Sequence, residues 1–150
     1  MRLTLVCALV LGLVAPVAAP AQECSWQAGW VKEENAKAGN KGWDSDVVMR
    51  FSADFSRRKE AKRVEGYFDQ TSIGCGQSAT LKIVGAKSAD VSLYRIGYYK
   101  GAGARLIQTI KSAKKITATQ STPPGQYLVK LKSPGYRSTF VPLVITGQVP

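Results

Sequence analysis

The sequence predicts an all-β sandwich. Short β-branched and aromatic runs follow one another, several with period-two alternation, and turns rich in Gly and Pro separate them. Length and composition agree with a single packed domain: 150 residues, 45% apolar and 21% charged. No internal repeat, low-complexity tract or domain linker interrupts the chain.

The first segment reads as an address. Arg2 opens it, a 15-residue apolar run follows over residues 3–17, and Ala19 and Ala21 supply small residues for a cut after Ala21. The run falls short of the roughly 20 residues a spanning helix needs. Residues 1–21 are therefore expected to be a signal peptide. The mature chain is expected to be exported, periplasmic or extracellular, with no transmembrane segment once the signal is removed. Export makes one disulfide the default for the two remaining cysteines, Cys24 and Cys75. It would tie the mature N-terminus to the sheet and close a loop worth about 4 kcal/mol in the chain-entropy model.

Residues 22–46 are expected to form an irregular arm with a helical turn around residues 32–38, lying over a sheet. Its Trp26, Trp30 and Trp43 need apolar cover. The sandwich is assigned to residues 47–150. Residues 47–55 alternate, with Val47, Met49, Phe51, Ala53 and Phe55 on one side. A basic run follows, carrying Arg57, Arg58, Lys59, Lys62 and Arg63. It reads either as a solvated loop or as an anion-binding patch.

Further strands are expected over residues 64–69, 79–84, 90–99, 105–110, 115–119, 126–132 and 138–146. Alternation breaks within 90–99: Val91 and Leu93 share one face, Ile96 and Tyr98 the other, and a bulge near Tyr94 and Arg95 accounts for it. The last strand carries opposed signals. Residues 141–145 are apolar on both faces, as in a central strand, while Pro142 favours an edge or a bulge. Together these elements describe an immunoglobulin-like antiparallel β-sandwich with an irregular N-terminal arm.

Composition removes several chemistries. There is no His, so Ser-His-Asp and Cys-His catalysis, His-bound zinc and an imidazole switch are excluded. The few acids suggest no paired acid/base site, because adjacent Glu33 and Glu34 diverge in a strand or a helix. No metal site and no cofactor are expected, and Asp44 and Asp46 read as loop solvation before calcium. Charge is uneven: residues 22–81 balance, whereas residues 82–150 hold eleven basic side chains against Asp90 alone.

The most distinctive stretch runs from Tyr98 to Arg105. Its glycines join two strands rather than a strand to a helix, which excludes a dinucleotide loop. They read as a hairpin turn with positive φ at Gly101 or Gly103. Tyr98 and Tyr99 either pack as cross-strand pairs or stack on a sugar or base, with Lys100 and Arg105 alongside.

The chain from residue 30 to 147 resembles a known module. Glu34-Asn35, Ala38-Gly39, Trp43, Val64-Glu65-Gly66-Tyr67, Thr71-Ser72 and Gly76 carry the likeness. Residues 81–83, 91–99 and 101–106, then Gly125-Gln126-Tyr127-Leu128 and Phe140-Val141-Pro142-Leu143-Val144, continue it. This resembles the β-sandwich module that opens the large (beta) subunit-like proteins of the N,N-dimethylformamidase family. The stretch from Tyr94 to Leu106 is its most specific part. In that family the catalytic iron site lies in a much larger region after the sandwich, to which no position here corresponds. The resemblance thus implies the fold and no catalytic residue. Residues 44–63 also look longer than the family's link.

These readings lead to a non-enzyme, an exported binding or accessory module acting through a protein or glycan partner. Its candidate residues are Tyr98, Tyr99, Lys100 and Arg105, with Arg57, Arg58, Lys62 and Arg63 as a second group. The alternative is a charge-driven binder of anionic polymers or lipid headgroups at the cell envelope. Nucleic acid is disfavoured by export, and a small hydrolase is the remaining reading.

Overall fold

The computed structural model describes residues 24–47 and 62–147. One short helix, α1 (Trp30–Ala36), precedes the strands β1 (Glu65–Phe68), β2 (Ser72–Ile73), β3 (Ser78–Val84), β4 (Asp90–Ile96), β5 (Ala104–Ile110), β6 (Lys115–Thr117), β7 (Gly125–Lys132) and β8 (Thr139–Ile145). They build two sheets, of order β1-β3-β6 and β2-β8-β7-β4-β5. The protein is an all-β sandwich. The signal peptide expected over 1–21, the strand expected over 47–55 beyond Val47, and Arg57 and Arg58 lie outside the described residues.

Alternation explains the shared core. Tyr127, Val129 and Leu131 of β7 face inward, with Val141, Leu143 and Ile145 of β8 and Val91 and Leu93 of β4. Phe68, Ala79, Leu81 and Ile116 meet them from the smaller sheet. Ile73 is buried as well, although its strand β2 is only two residues long and left no periodic signal to read.

Two expectations change in detail. The break in alternation within β4 is not a bulge in that strand. Against β7 it stays in register from Asp90 to Arg95, and Val91, Leu93 and Arg95 all point inward. The apparent break came from an arginine in an inward position. The bulge belongs to β5, where Ile107 is the extra residue: Leu93 faces Gln108 and Tyr94 faces Leu106.

The sandwich is also not wholly antiparallel, since β2 runs parallel to β8. Residues 62–73 pass along one edge of β8 and touch it twice. Arg63 pairs with Arg137 just before β8 and Ser72 with Val144 near its end, and between them β1 leaves to pair with β3. This arrangement resolves the Pro142 conflict. Val144 and Thr146 donate their N–H groups toward Thr71 and Ile73. The nitrogen of Pro142 faces the same side, in the gap between the two contacts, where a missing donor costs nothing. Strand β8 is central, and Pro142 stands where its outer ladder is open.

Candidate functional site at the arm and the β4–β5 hairpin

The arm is fastened from end to end. Cys24 is bonded to Cys75 in the turn before β3, with Cα atoms 5.6 Å apart. Trp26 packs on Trp30 with ring centroids 5.4 Å apart. The helix expected near residues 32–38 forms as α1, two residues earlier. Beyond it the Asn40 N–H donates to Ala104 O at 2.9 Å, and Leu106 N–H donates to Asn40 Oδ1 at 2.8 Å, so the arm caps the open edge of β5. Trp43 then lies on the outer face of the large sheet, against Tyr94 and Phe140. Lys130 donates to Trp43 O at 2.9 Å and pairs with Asp46.

Between these fastenings sits a buried polar cluster. Glu34 is 3% exposed at the centre of the α1 contact with the hairpin. Its Oε1 accepts from Arg105 through Nε at 2.8 Å and also through Nη2, and from the Tyr99 hydroxyl at 3.0 Å. Its Oε2 accepts from Lys37 Nζ at 2.6 Å. Arg95, 5% exposed, donates Nη1–H to the Tyr99 hydroxyl at 2.8 Å and Nε–H to Pro124 O at 2.9 Å. Arg95 also lies over the Trp30 ring, 5.4 Å from its centroid. The Tyr99 hydroxyl thus accepts from one cation and donates to the carboxylate bound to another.

Titration behaviour follows from this geometry. Burial pulls the Glu34 carboxyl up, but the bonds from Lys37, Arg105 and Tyr99 outweigh it and hold the group below the ordinary carboxylate range. Burial pushes the Tyr99 phenol up against the opposing pull of Arg95, so Tyr99 keeps the proton it donates. For Arg105, burial alone would weaken the charged form, and the Glu34 carboxylate more than restores it.

The hairpin tip is tightly wound. Gly101 and Gly103 both take positive φ, as expected, and so do two residues with side chains: Tyr99 at 42° and Lys100 at 55°. Non-glycine residues there carry strain. It is held by the Tyr99 hydroxyl bonds below and by Asn35 Oδ1, which accepts from Tyr98 N–H at 3.0 Å. A side chain on Gly39 would meet Ala102 Cβ at 2.5 Å, so glycine is what lets the arm lie this close to the tip.

The four hairpin residues singled out in the sequence therefore part company. Tyr99 is 0% exposed, and Arg105, with its side chain 22% exposed, is bound to Glu34, so both brace the hairpin. Tyr98, at 71% exposed, and Lys100 remain on the surface. Lys62 and Arg63 are exposed at the far side, beside β8. Sequence reasoning missed Glu34, Arg95 and Asn35. The available signal was Trp30 and Glu34 at i and i+4, which puts a carboxylate on the aromatic face of a short helix. No family model, curated protein or solved structure matches the chain.

Proposed function

We propose that residues 22–150 form an exported, non-catalytic binding module of immunoglobulin-like fold, which takes a protein or glycan partner at the tip of the β4–β5 hairpin. The observation that carries this reading is Tyr98. It is an aromatic ring standing 71% exposed on a hairpin whose Tyr99 and Arg105 are spent on bracing. A rigid, low-entropy aromatic contact suits both sugar faces and protein interfaces. Lys100 beside it adds a cation, and Val31 is a further exposed apolar side chain on α1, one turn from the Asn35 that holds Tyr98.

The immunoglobulin-like assignment is supported by the way one edge segment serves both sheets and by Tyr127. Its hydroxyl near the start of β7 donates to Pro123 O four residues upstream, at 2.5 Å, in the manner of a tyrosine corner. The likeness to the N,N-dimethylformamidase module rests on many of the residues that dock the arm, among them Glu34, Asn35, Gly39, Trp43 and Tyr99. Export is supported by the leader-like residues 1–21 and by the paired cysteines. Among the described residues no helix is long and apolar enough to cross a membrane.

The test is retention of purified residues 22–150 on neutral and anionic glycan matrices across a salt gradient, wild type against Tyr98→Ala. Binding with modest salt dependence, weakened about tenfold by Tyr98→Ala, is expected for loss of one aromatic anchor. Retention that ignores Tyr98 removes the hairpin tip from the reading. Turnover of simple amides or esters by the same preparation removes the non-catalytic one.

A further inference from the structure

A second surface stands apart from the hairpin. Just before β1 the chain lies parallel to the segment leading into β8, with Arg63 and Arg137 as direct partners. The contact is closed on both sides: Arg137 N–H donates to Lys62 O at 2.9 Å and Val64 N–H to Arg137 O at 3.1 Å. The Thr139 hydroxyl adds a bond to Val64 O at 2.5 Å. Each arginine precedes a residue that points inward, Val64 at 0% exposed and Ser138 at 8%. Successive side chains in extended backbone point to opposite faces. Both guanidinium groups therefore leave the core on the same side, from backbones about 4.8 Å apart.

This is an unfavourable place for two like charges, which cost stability when set directly opposite. The next outward residue of β1, Glu65, sits across from Val84. Among the described residues, the ion pairs use Lys37, Arg105, Lys111 and Lys130, and none uses Lys62, Arg63 or Arg137. Two rigidly based forks, each able to give two parallel N–H donors, match the oxygens of one tetrahedral anion.

We propose that Arg63 and Arg137, with Lys62 adding charge beside them, form a binding site for a tetrahedral oxyanion, either sulfate or phosphate, as the free ion or as an ester on a glycan. The site is independent of Tyr98, so its failure and the failure of the hairpin reading are separable. The pairing joins residues far apart in sequence and turns the diffuse positive charge of the chain into one defined contact.

The experiment follows the arginine Nε–Hε signals of residues 22–150 while inorganic phosphate, inorganic sulfate or a sulfated heparin hexasaccharide is added. Saturable shifts of the Arg63 and Arg137 signals are expected. Saturation by the inorganic ions at matching concentration identifies a free-ion site, and much tighter saturation by the hexasaccharide identifies an ester site. Arg63→Gln with Arg137→Gln should weaken binding at least tenfold. The charge-matched pair Lys82→Gln with Lys115→Gln, exposed on the smaller sheet, should weaken it less than twofold. Arg63→Lys with Arg137→Lys keeps the charge without the fork and should remain several-fold weak. Equal losses in the two Gln pairs, full rescue by lysine, or no saturable shift with any probe overturns the proposal. Tyr98→Ala should leave this binding unchanged, and the exposed positions allow folding to be verified by an unaltered unfolding midpoint.

Discussion

Two pairs of arginines sit at two places in this molecule and do opposite things. Arg95 and Arg105 are turned toward the arm, and their donors go to Tyr99, Pro124 and Glu34. Arg63 and Arg137 are turned outward beside one another. In sequence both regions are basic and neither declares its role. The difference is where a carboxylate arrives. At the hairpin, α1 delivers Glu34 into a buried contact, and the positive charge becomes part of the fold. At the β1–β8 corner the bridge gathers cations and leaves them facing solvent. A basic residue is thus a candidate for binding only after its internal partners are counted.

The sharpest way to break this contrast is to release the arm. Replacing Cys24 and Cys75 together with Ser should cost about 4 kcal/mol for a loop of this length. Urea unfolding of residues 22–150 measures it, and a loss under about 1 kcal/mol would mean the arm is held by its other contacts alone. Glu34→Ala should come next, at about 3 kcal/mol, because it strands Arg105 and the Tyr99 hydroxyl without their acceptor. Arg63→Gln, by contrast, should shift stability by no more than about 0.5 kcal/mol, as for other exposed positions.

The same carboxylate sets a pH dependence. Glu34 is held below its unfolded value of 4.5, so the folded state binds fewer protons there. Its contribution is complete above that value and is lost as pH falls below it toward the folded pKa. The stability gap between wild type and Glu34→Gln should therefore be widest near neutrality and narrow through the acid range. A gap that stays constant down to pH 3 would show that the carboxylate charge is not what stabilises the contact. Tyr99→Phe should cost less than Glu34→Ala, about 1–2 kcal/mol, since one hydroxyl is lost between two charged neighbours. Near-wild-type stability for that variant would detach Arg95 from the network.

Much of the sandwich was legible because strand signals are local. Residues 126–132 and 79–84 alternate, and Gly or Pro turns bound them, so β7 and β3 could be read without knowing their neighbours. The cysteine pair was legible for the same kind of reason, two thiols in a chain expected to be exported. What failed locally was Arg95. An arginine in an inward position looks like a broken pattern until Tyr99 and Pro124 are seen around it. Strand β2 was too short to announce itself, since the strand it pairs with is β8, reached across most of the domain. The two tyrosines of the hairpin could not be told apart locally either: Tyr98 and Tyr99 are adjacent and chemically alike, and the fold buries the ring of Tyr99, at positive φ, while Tyr98 stays out.

Period, turn residues and composition by themselves determined the class of this protein: a small all-β sandwich with a covalently tied arm, rich in positive charge and without imidazole chemistry. These properties depend on neighbours in the chain, so the order of residues suffices to specify them. Which charges are buried, which aromatic ring is free and which two arginines meet were decided by the tertiary structure alone. Each depends on segments dozens of residues apart, Glu34 with Arg105 and Arg63 with Arg137, and the free energy of a charge is set by what surrounds it in space.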